Sequence, residues 1–311
     1  MKISVIIPYY NDSKYFGYCL ESVLKQKIKP EEIIIIDDCS KDSHILEKIV
    51  DSVSSKETTI RLYRNDTNMN GAYSRNLGMN MAIGDYIAFL DADDYWAEDH
   101  LEVCLNNALK LGSDFIYSNV VEIKPNANDI VYRKVSNHRS TIGHISNILL
   151  DSPPQTNSFF ISSKANKILR FNENLKRHQD YQFFIDALLK SEITAHYIDV
   201  YTSYYRVRDK SKPVIDYTSI FDFWTIYKDV IDLNKLNYKL WNIISGGLRD
   251  RRNDPINIIG DTKLAAILGG RRSYKLFSAI KNRLILVLLV NFYFYIVLDC
   301  GKKIYARFFR K

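Results

Sequence analysis

Residues 33–36 are four isoleucines in a row, and Asp37 and Asp38 follow at once. A β-branched run of this kind favours extended backbone, and its unbroken apolarity means that both faces are buried. The same pattern recurs along the first part of the chain. Ile3-Ser4-Val5-Ile6-Ile7 stops at Pro8, Ile60 to Tyr63 forms a third run, Tyr86 to Leu90 a fourth and Phe115 to Ser118 a fifth. Between them the apolar residues change to helical spacing. Tyr15, Phe16, Cys19, Leu20, Val23 and Leu24 line one face, with Asp12 or Ser13 as a cap. Further helices are predicted over 42–53, 73–82 and 98–111. Buried strands alternating with helices predict an α/β fold with a central, mostly parallel sheet covered on both faces.

In such sheets a ligand sits outside the carboxyl ends of the strands. Three strand ends here carry polar clusters: Pro8-Tyr9-Tyr10-Asn11-Asp12, Asp37-Asp38-Cys39-Ser40 and Asp91-Ala92-Asp93-Asp94. The pattern loosens after about Pro125. Pro153-Pro154 marks a turn, 158–161 and 198–205 read as extended, and 181–189 as a helix. Residues 216–270 read as mainly helical. The expected organisation is 1–215 as one domain, with a nucleotide-binding half over 1–125 and an acceptor half over 126–215. A helical extension over 216–270 and a basic, apolar segment over 271–311 follow.

Asp91, Asp93 and Asp94 put three carboxylates into four residues. They repel one another, so a buried cluster needs a compensating cation. Mg²⁺ or Mn²⁺ suits oxygen ligands and shares its shell with water and substrate phosphates. The competing reading is a solvated acidic turn. Asp38 can accept a hydrogen bond from a base or ribose, or can be an ordinary turn residue. Asn70-Gly71 opens a helix whose backbone amides attract phosphate, and Arg75 lies one turn on, free to face the acids or a diphosphate. Asp180, in Arg177-His178-Gln179-Asp180, reads from the local sequence as a helix cap. Its other role is that of a carboxylate taking a proton from an acceptor hydroxyl.

Taken in order, these motifs resemble the family 2 glycosyltransferases, which have the GT-A fold. The resemblance covers about Lys2 to Ser211. It rests on Val5-Ile6-Ile7-Pro8-Tyr9-Tyr10-Asn11, Ser22-Val23-Leu24-Lys25-Gln26, Ile36-Asp37-Asp38-Cys39-Ser40-Lys41-Asp42, Asn70-Gly71 with Arg75-Asn76 and Gly78, and Gly84 through Asp94. It implies that Pro8, Tyr9 and Asn11 line a nucleotide pocket and that Asp38 contacts the base, usually uracil. Asn70, Gly71, Arg75, Asp91 and Ala92 would lie at the donor, and Asp93 would ligate the metal. Asp180 would be the general base of an inverting single displacement. Ser203-Tyr204-Tyr205-Arg206 with Ser211 resembles a downstream segment that can close over the donor, in which Arg206 or Arg208 would pair with phosphate. Two positions depart from the pattern. Gln179 replaces the usual acid before the base, and Cys39 stands where glycine is common.

The net charge is +7, but it sits at one end. Residues 271–311 carry ten Lys or Arg against the single acid Asp299, and the rest of the chain is slightly acidic. Within that segment Leu284 to Leu298 is apolar apart from Asn291. It is shorter than the about 20 residues of a full span, yet basic flanks and aromatics suit a lipid interface. This favours a membrane surface over nucleic acid as partner, and the cytoplasmic face of the inner or plasma membrane as location. The four cysteines form no CxxC pair and fit a reducing cytosol. The amino-terminal apolar run is too short for a signal core. The expected partners are a nucleotide sugar, chiefly a UDP-sugar, and a glycan or lipid-linked acceptor. Two other readings compete: a non-catalytic membrane-bound scaffold that binds nucleotide sugars, and a sugar nucleotidylyltransferase. The second wants a glycine-rich arginine loop after the first strand, where Pro8-Tyr9-Tyr10-Asn11-Asp12 stands.

Overall fold

The computed structural model describes residues 1–53, 55, 57–125, 130–135, 145, 146, 148, 153–208, 216–232, 235, 236, 239 and 243. Strand and helix alternate first as β1 (Ile3–Tyr9), α1 (Ser13–Leu24), β2 (Glu32–Asp37), α2 (Ser43–Asp51), β3 (Thr59–Arg64), α3 (Asn70–Met81) and β4 (Tyr86–Phe89). Then come a two-residue β5 (Tyr95–Trp96), α4 (His100–Leu111), β6 (Phe115–Ile123) and β7 (Ile130–Arg133). The described chain continues with β8 (Phe160–Ser162), α5 (Ser163–Ile168), α6 (Gln179–Leu189), β9 (Ala195–Arg206) and α7 (Tyr217–Ile226).

The strands join in one sheet of order β3-β2-β1-β4-β8-β6-β9-β5, with β7 added on β6. Its β3-β2-β1-β4 part is parallel, as the apolar runs predict. Beyond β4 the sheet becomes mixed. β8 runs antiparallel to both β4 and β6, while β6 and β9 form a long parallel pair. Parallel pairing still carries most of the ladder. The sheet passes straight through the boundary expected near residue 125, since β8 and β9 belong to it.

Strand pleating sorts the core into two layers. Val5, Ile7 and Tyr9 of β1 pack with Phe16, Leu20, Val23, Leu101 and Cys104 on one face. Ile6 of the same strand joins Met79, Ile87, Phe89, Phe115, Phe183 and Trp224 on the other. The second layer is largely aromatic. Phe171 and Phe183 stack with centroids 4.1 Å apart, and Phe89 meets both edge-on. That cluster fixes α6 against the strand that ends at Asp91. Gly78 lets α3 approach β1 closely, since an added Cβ would lie 2.5 Å from Ile6 Cγ2.

Several local expectations shift. The α3 helix starts at Asn70, three residues earlier than predicted, because the Asn70 side chain itself accepts from Ala72 and Tyr73 N–H. Asp180 is not the cap of α6. His178 holds that place at φ +65°, and Asp180 lies inside the first turn. The extended run at 158–161 splits into a short 3₁₀ turn, Thr156–Ser158, and β8. Of the segment read as helical over 216–270, α7 lies within the described residues. The basic segment 271–311 lies outside them. Among the described residues no helix is long and apolar enough to cross a membrane.

Candidate active site

The carboxyl ends of β1, β2 and β4 meet the start of α3, the start of α6 and the end of β9. Arg75 ties this region together. Its side chain leaves the second turn of α3 and is almost fully buried. One Nη meets Oδ1 of Asp91 at the end of β4. The other donates to Oε1 of Gln179 at 3.1 Å, on α6. The guanidinium also lies 5.3 Å from the Phe171 ring, a cation–π distance. Gly71 leaves room for it, since a Cβ there would approach Arg75 Nη1 to 3.1 Å. One side chain thus ties an expected donor residue, Asp91, to the helix that carries Asp180.

The three acids after β4 divide by environment. Asp94 is buried, and its oxygens accept from Asn157 Nδ2 at 3.0 Å and from Arg206 N–H at 2.8 Å. It therefore pins the end of β9 and the 156–158 turn. Burial, with Asp93 and Asp91 adding repulsion, pushes its pKa well above the usual range. Asp93 is raised too, first by burial and then by Asp91. Nε of Arg208 lies 2.5 Å from Asp93 Oδ2, and the same guanidinium meets Asp12. The angle at Nε does not make a directed hydrogen bond, so this is a contact of charges. Arg206 reaches the same turn. Its Nε donates to the Asp93 carbonyl at 3.2 Å, and its guanidinium lies over Tyr15 and Tyr95.

Of the turn's three acids only Asp94 is buried, and the half-buried Asp91 and Asp93 are each paired with an arginine. Asp93 offers a carboxylate oxygen, the donor type that Mg²⁺ and Mn²⁺ prefer. Among the described residues no group of three His, Cys, Asp or Glu side chains is arranged to hold a metal. A divalent cation here would rest on Asp93 and take the rest of its shell from water and phosphate.

Asp38 is buried at the end of β2 and already committed. Its Oδ1 accepts from Asn65 Nδ2 and Met69 N–H, and its Oδ2 from Asn70 N–H, each at 2.8 Å. It anchors the loop that delivers α3. Asn11 accepts from Lys41 N–H at 2.8 Å and joins the β1 and β2 ends. Asn11, Cys39, Asn70 and His178 all have positive φ, and all four lie around this cleft. Such strain in non-glycine residues collects where surrounding structure forces a functional geometry. Cys39 adopts this backbone at the very position where the family commonly has glycine.

Two expected pocket residues need correction. The Tyr9 ring is fully buried against Phe16, and Ala92 is 2% exposed. Their side chains support the pocket without lining it: the alternation of β1 turns Tyr9 to the core, and the turn after β4 packs Ala92 into the same layer. Pro8 stays partly accessible within β1, and Tyr10 is the exposed aromatic at that strand end.

Asp180 borders a cavity of about 520 Å³, together with Arg75, Asp91, Thr156, Tyr205 and the 176–181 turn. Burial raises its pKa to about 6, against its ordinary 3.8. It is therefore more basic than a free carboxylate. The local sequence carried no signal for Thr156, Lys176 or the pairing of Arg208 with Asp12, since each depends on segments far apart in the chain.

Residues 4–175 match Glycosyl transferase family 2. An uncharacterized glycosyltransferase of Haemophilus influenzae is 32% identical over 205 residues, covering 66% of this chain and 79% of that protein. The Escherichia coli UDP-Glc:alpha-D-GlcNAc-diphosphoundecaprenol beta-1,3-glucosyltransferase WfgD is 27% identical over 246 residues, with 78% and 93% covered. Among solved structures, S. aureus TarS 1–349 in complex with UDP-GlcNAc superposes with a TM-score of 0.65 at 20% identity, over 91% of this chain and 88% of that one. It shares the fold, of GT-A type. With the strand-end site, the matched motifs and these relatives together, the chain belongs to glycosyl transferase family 2.

Proposed function

We propose that this glycosyltransferase moves a sugar from a UDP-sugar to an acceptor hydroxyl with inversion, in the synthesis of a cell-surface polysaccharide or glycolipid. The observation that carries the reading is Asp180. Its carboxylate has a raised pKa and borders a cavity that the Arg75–Asp91 pair also lines. Asp180 takes the proton of the acceptor hydroxyl as that oxygen bonds to the anomeric carbon. The bond from that carbon to the diphosphate oxygen breaks, and the nucleoside diphosphate leaves with its electron pair. One displacement with the base opposite the leaving group inverts the centre. Arg75, held by Asp91 and Gln179, presents fixed positive charge toward the donor side.

Asp93, with Asp91 beside it, would hold Mn²⁺ or Mg²⁺, which when bound would offset charge on the departing diphosphate. WfgD is named for UDP-Glc and a diphosphoundecaprenol-linked acceptor, and the TarS complex holds UDP-GlcNAc. Both support a UDP-sugar donor, and WfgD supports a lipid-linked acceptor at a membrane surface. The test is UDP release and product formation with a panel of UDP-sugars, wild type against Asp180→Asn. A variant that transfers at the wild-type rate removes Asp180 as the base.

A further inference from the structure

Of the residues that line the cavity beside Asp180, Arg75 and Thr156 are buried. Arg75 is committed to Asp91 and Gln179. Thr156 is 5% exposed, and its hydroxyl makes no hydrogen bond among the described residues. Serine and threonine in tight turns commonly bond back to nearby backbone, as Ser158 Oγ does to the Gln155 carbonyl at 2.8 Å. A nearly buried hydroxyl without a partner has lost hydration and gained nothing in exchange, which a bound ligand group would correct. Water in the cavity would serve as well, so the setting of the turn has to discriminate.

That turn is fixed to the donor side. Asn157, the next residue, donates from Nδ2 to Asp94 at 3.0 Å, and its carbonyl accepts from Trp96 Nε1 at 2.8 Å and from Ser203 Oγ at 2.9 Å. Phe159 N–H donates to the Thr156 carbonyl at 3.0 Å, and the Phe159 ring packs on Phe115 with centroids 5.1 Å apart. These bonds tie Thr156 to β5, β9 and the acidic turn, and none of them goes to α6, which carries the base. The cavity reaches from Asp91 in that acidic turn to Asp180. In the displacement described above, the transferred sugar lies between the diphosphate and the acceptor oxygen, hence between those two carboxylates. A side chain that lines the same space and is held from the diphosphate side stands beside that sugar, whose hydroxyl groups both donate and accept.

We infer that the Thr156 hydroxyl hydrogen-bonds a hydroxyl of the transferred sugar and so selects among donors. This rests on the glycosyltransferase reading and adds a residue that distinguishes one sugar from another. A neutral group on a fixed turn suits that task. It offers the ring one set contact and brings no charge to compete with Arg75 for Asp91. Its partner belongs to the sugar and not to the nucleotide, so losing the hydroxyl weakens UDP-sugar binding and leaves UDP alone.

The test is calorimetric titration of the full chain in Mn²⁺ with UDP, UDP-Glc, UDP-Gal, UDP-GlcNAc and UDP-GalNAc. Thr156→Val should bind the preferred UDP-sugar about fivefold more weakly than wild type, and UDP equally well, which shows that the variant is folded. Thr156→Ser, which keeps the hydroxyl, should keep wild-type affinity. Single-deoxy forms of the preferred donor then locate the partner. One of them should bind wild type about fivefold more weakly and lose nothing further in Thr156→Val. A purely structural role for Thr156 would instead weaken every form alike. The inference is overturned if Thr156→Val binds the UDP-sugar as wild type does, if UDP weakens by the same factor, or if no deoxy form escapes the effect of the substitution. It also fails if UDP binds and no UDP-sugar does. Failure of UDP itself to bind wild type would instead remove the glycosyltransferase reading of the cleft.

Discussion

Arg208 Nε lies 2.5 Å from Asp93 Oδ2, so the carboxylate expected to ligate a metal is held by an arginine. The same guanidinium meets Asp12 and lies 5.3 Å from the Tyr15 ring. Burial and the charge of Asp91 make an unpaired Asp93 costly, and Arg208 relieves that cost. A divalent cation at Asp93 must displace it. Arg208→Gln should therefore tighten Mn²⁺ binding to the donor-free protein, as read by water-proton relaxation or titration. Equal or weaker Mn²⁺ binding in the variant would show that Arg208 does not compete for Asp93.

Metal removal is a separate prediction. Transfer should stop in excess chelator and return with Mn²⁺ or Mg²⁺, as expected if a divalent cation at Asp93 offsets charge on the departing diphosphate. Undiminished turnover in chelator would rule out a divalent cation as part of the reaction.

Replacing Asp180 by Asn should lower kcat by about 10²- to 10⁴-fold while leaving UDP affinity close to wild type. In the wild-type protein kcat/KM should rise with pH through about 6 and then level off, since the base works only when ionised. A profile flat from pH 5 to 8 would contradict the assignment.

The same residue has a cost in stability. Burial raises its folded pKa from an ordinary 3.8 to about 6, so the folded state favours the protonated form. Its ionisation destabilises the fold as pH rises through that interval. Asp180→Asn should thus melt higher than wild type at pH 7, with the gap closing below about pH 4. Denaturant curves at the two pH values check the sign.

Gly78→Ala should destabilise by about 1–3 kcal/mol, because the new methyl meets Ile6 Cγ2 of β1 and forces α3 outward. The shift would also move Arg75, one turn earlier on that helix. Chemical denaturation measures the loss. A neutral substitution would mean that Ile6 can rotate away.

The sequence by itself determined the parallel half of the sheet and the polar clusters at its strand ends. Both follow from local pattern: unbroken β-branched runs bury on two faces, and each run stops where polar residues begin. The ordered motifs, too, were enough to reveal the family. Tertiary structure decided which of those polar residues face the cleft and what charge each meets. Tyr9 and Ala92 turned to the core, Asp38 was taken up by the amides before α3, and Asp94 became a clamp on β9. Arg75 found Gln179 and Arg208 found Asp93 across more than a hundred residues. No local pattern encodes such pairings. The charge state of a carboxylate depends on burial and on neighbours that only the folded chain brings within a few ångströms.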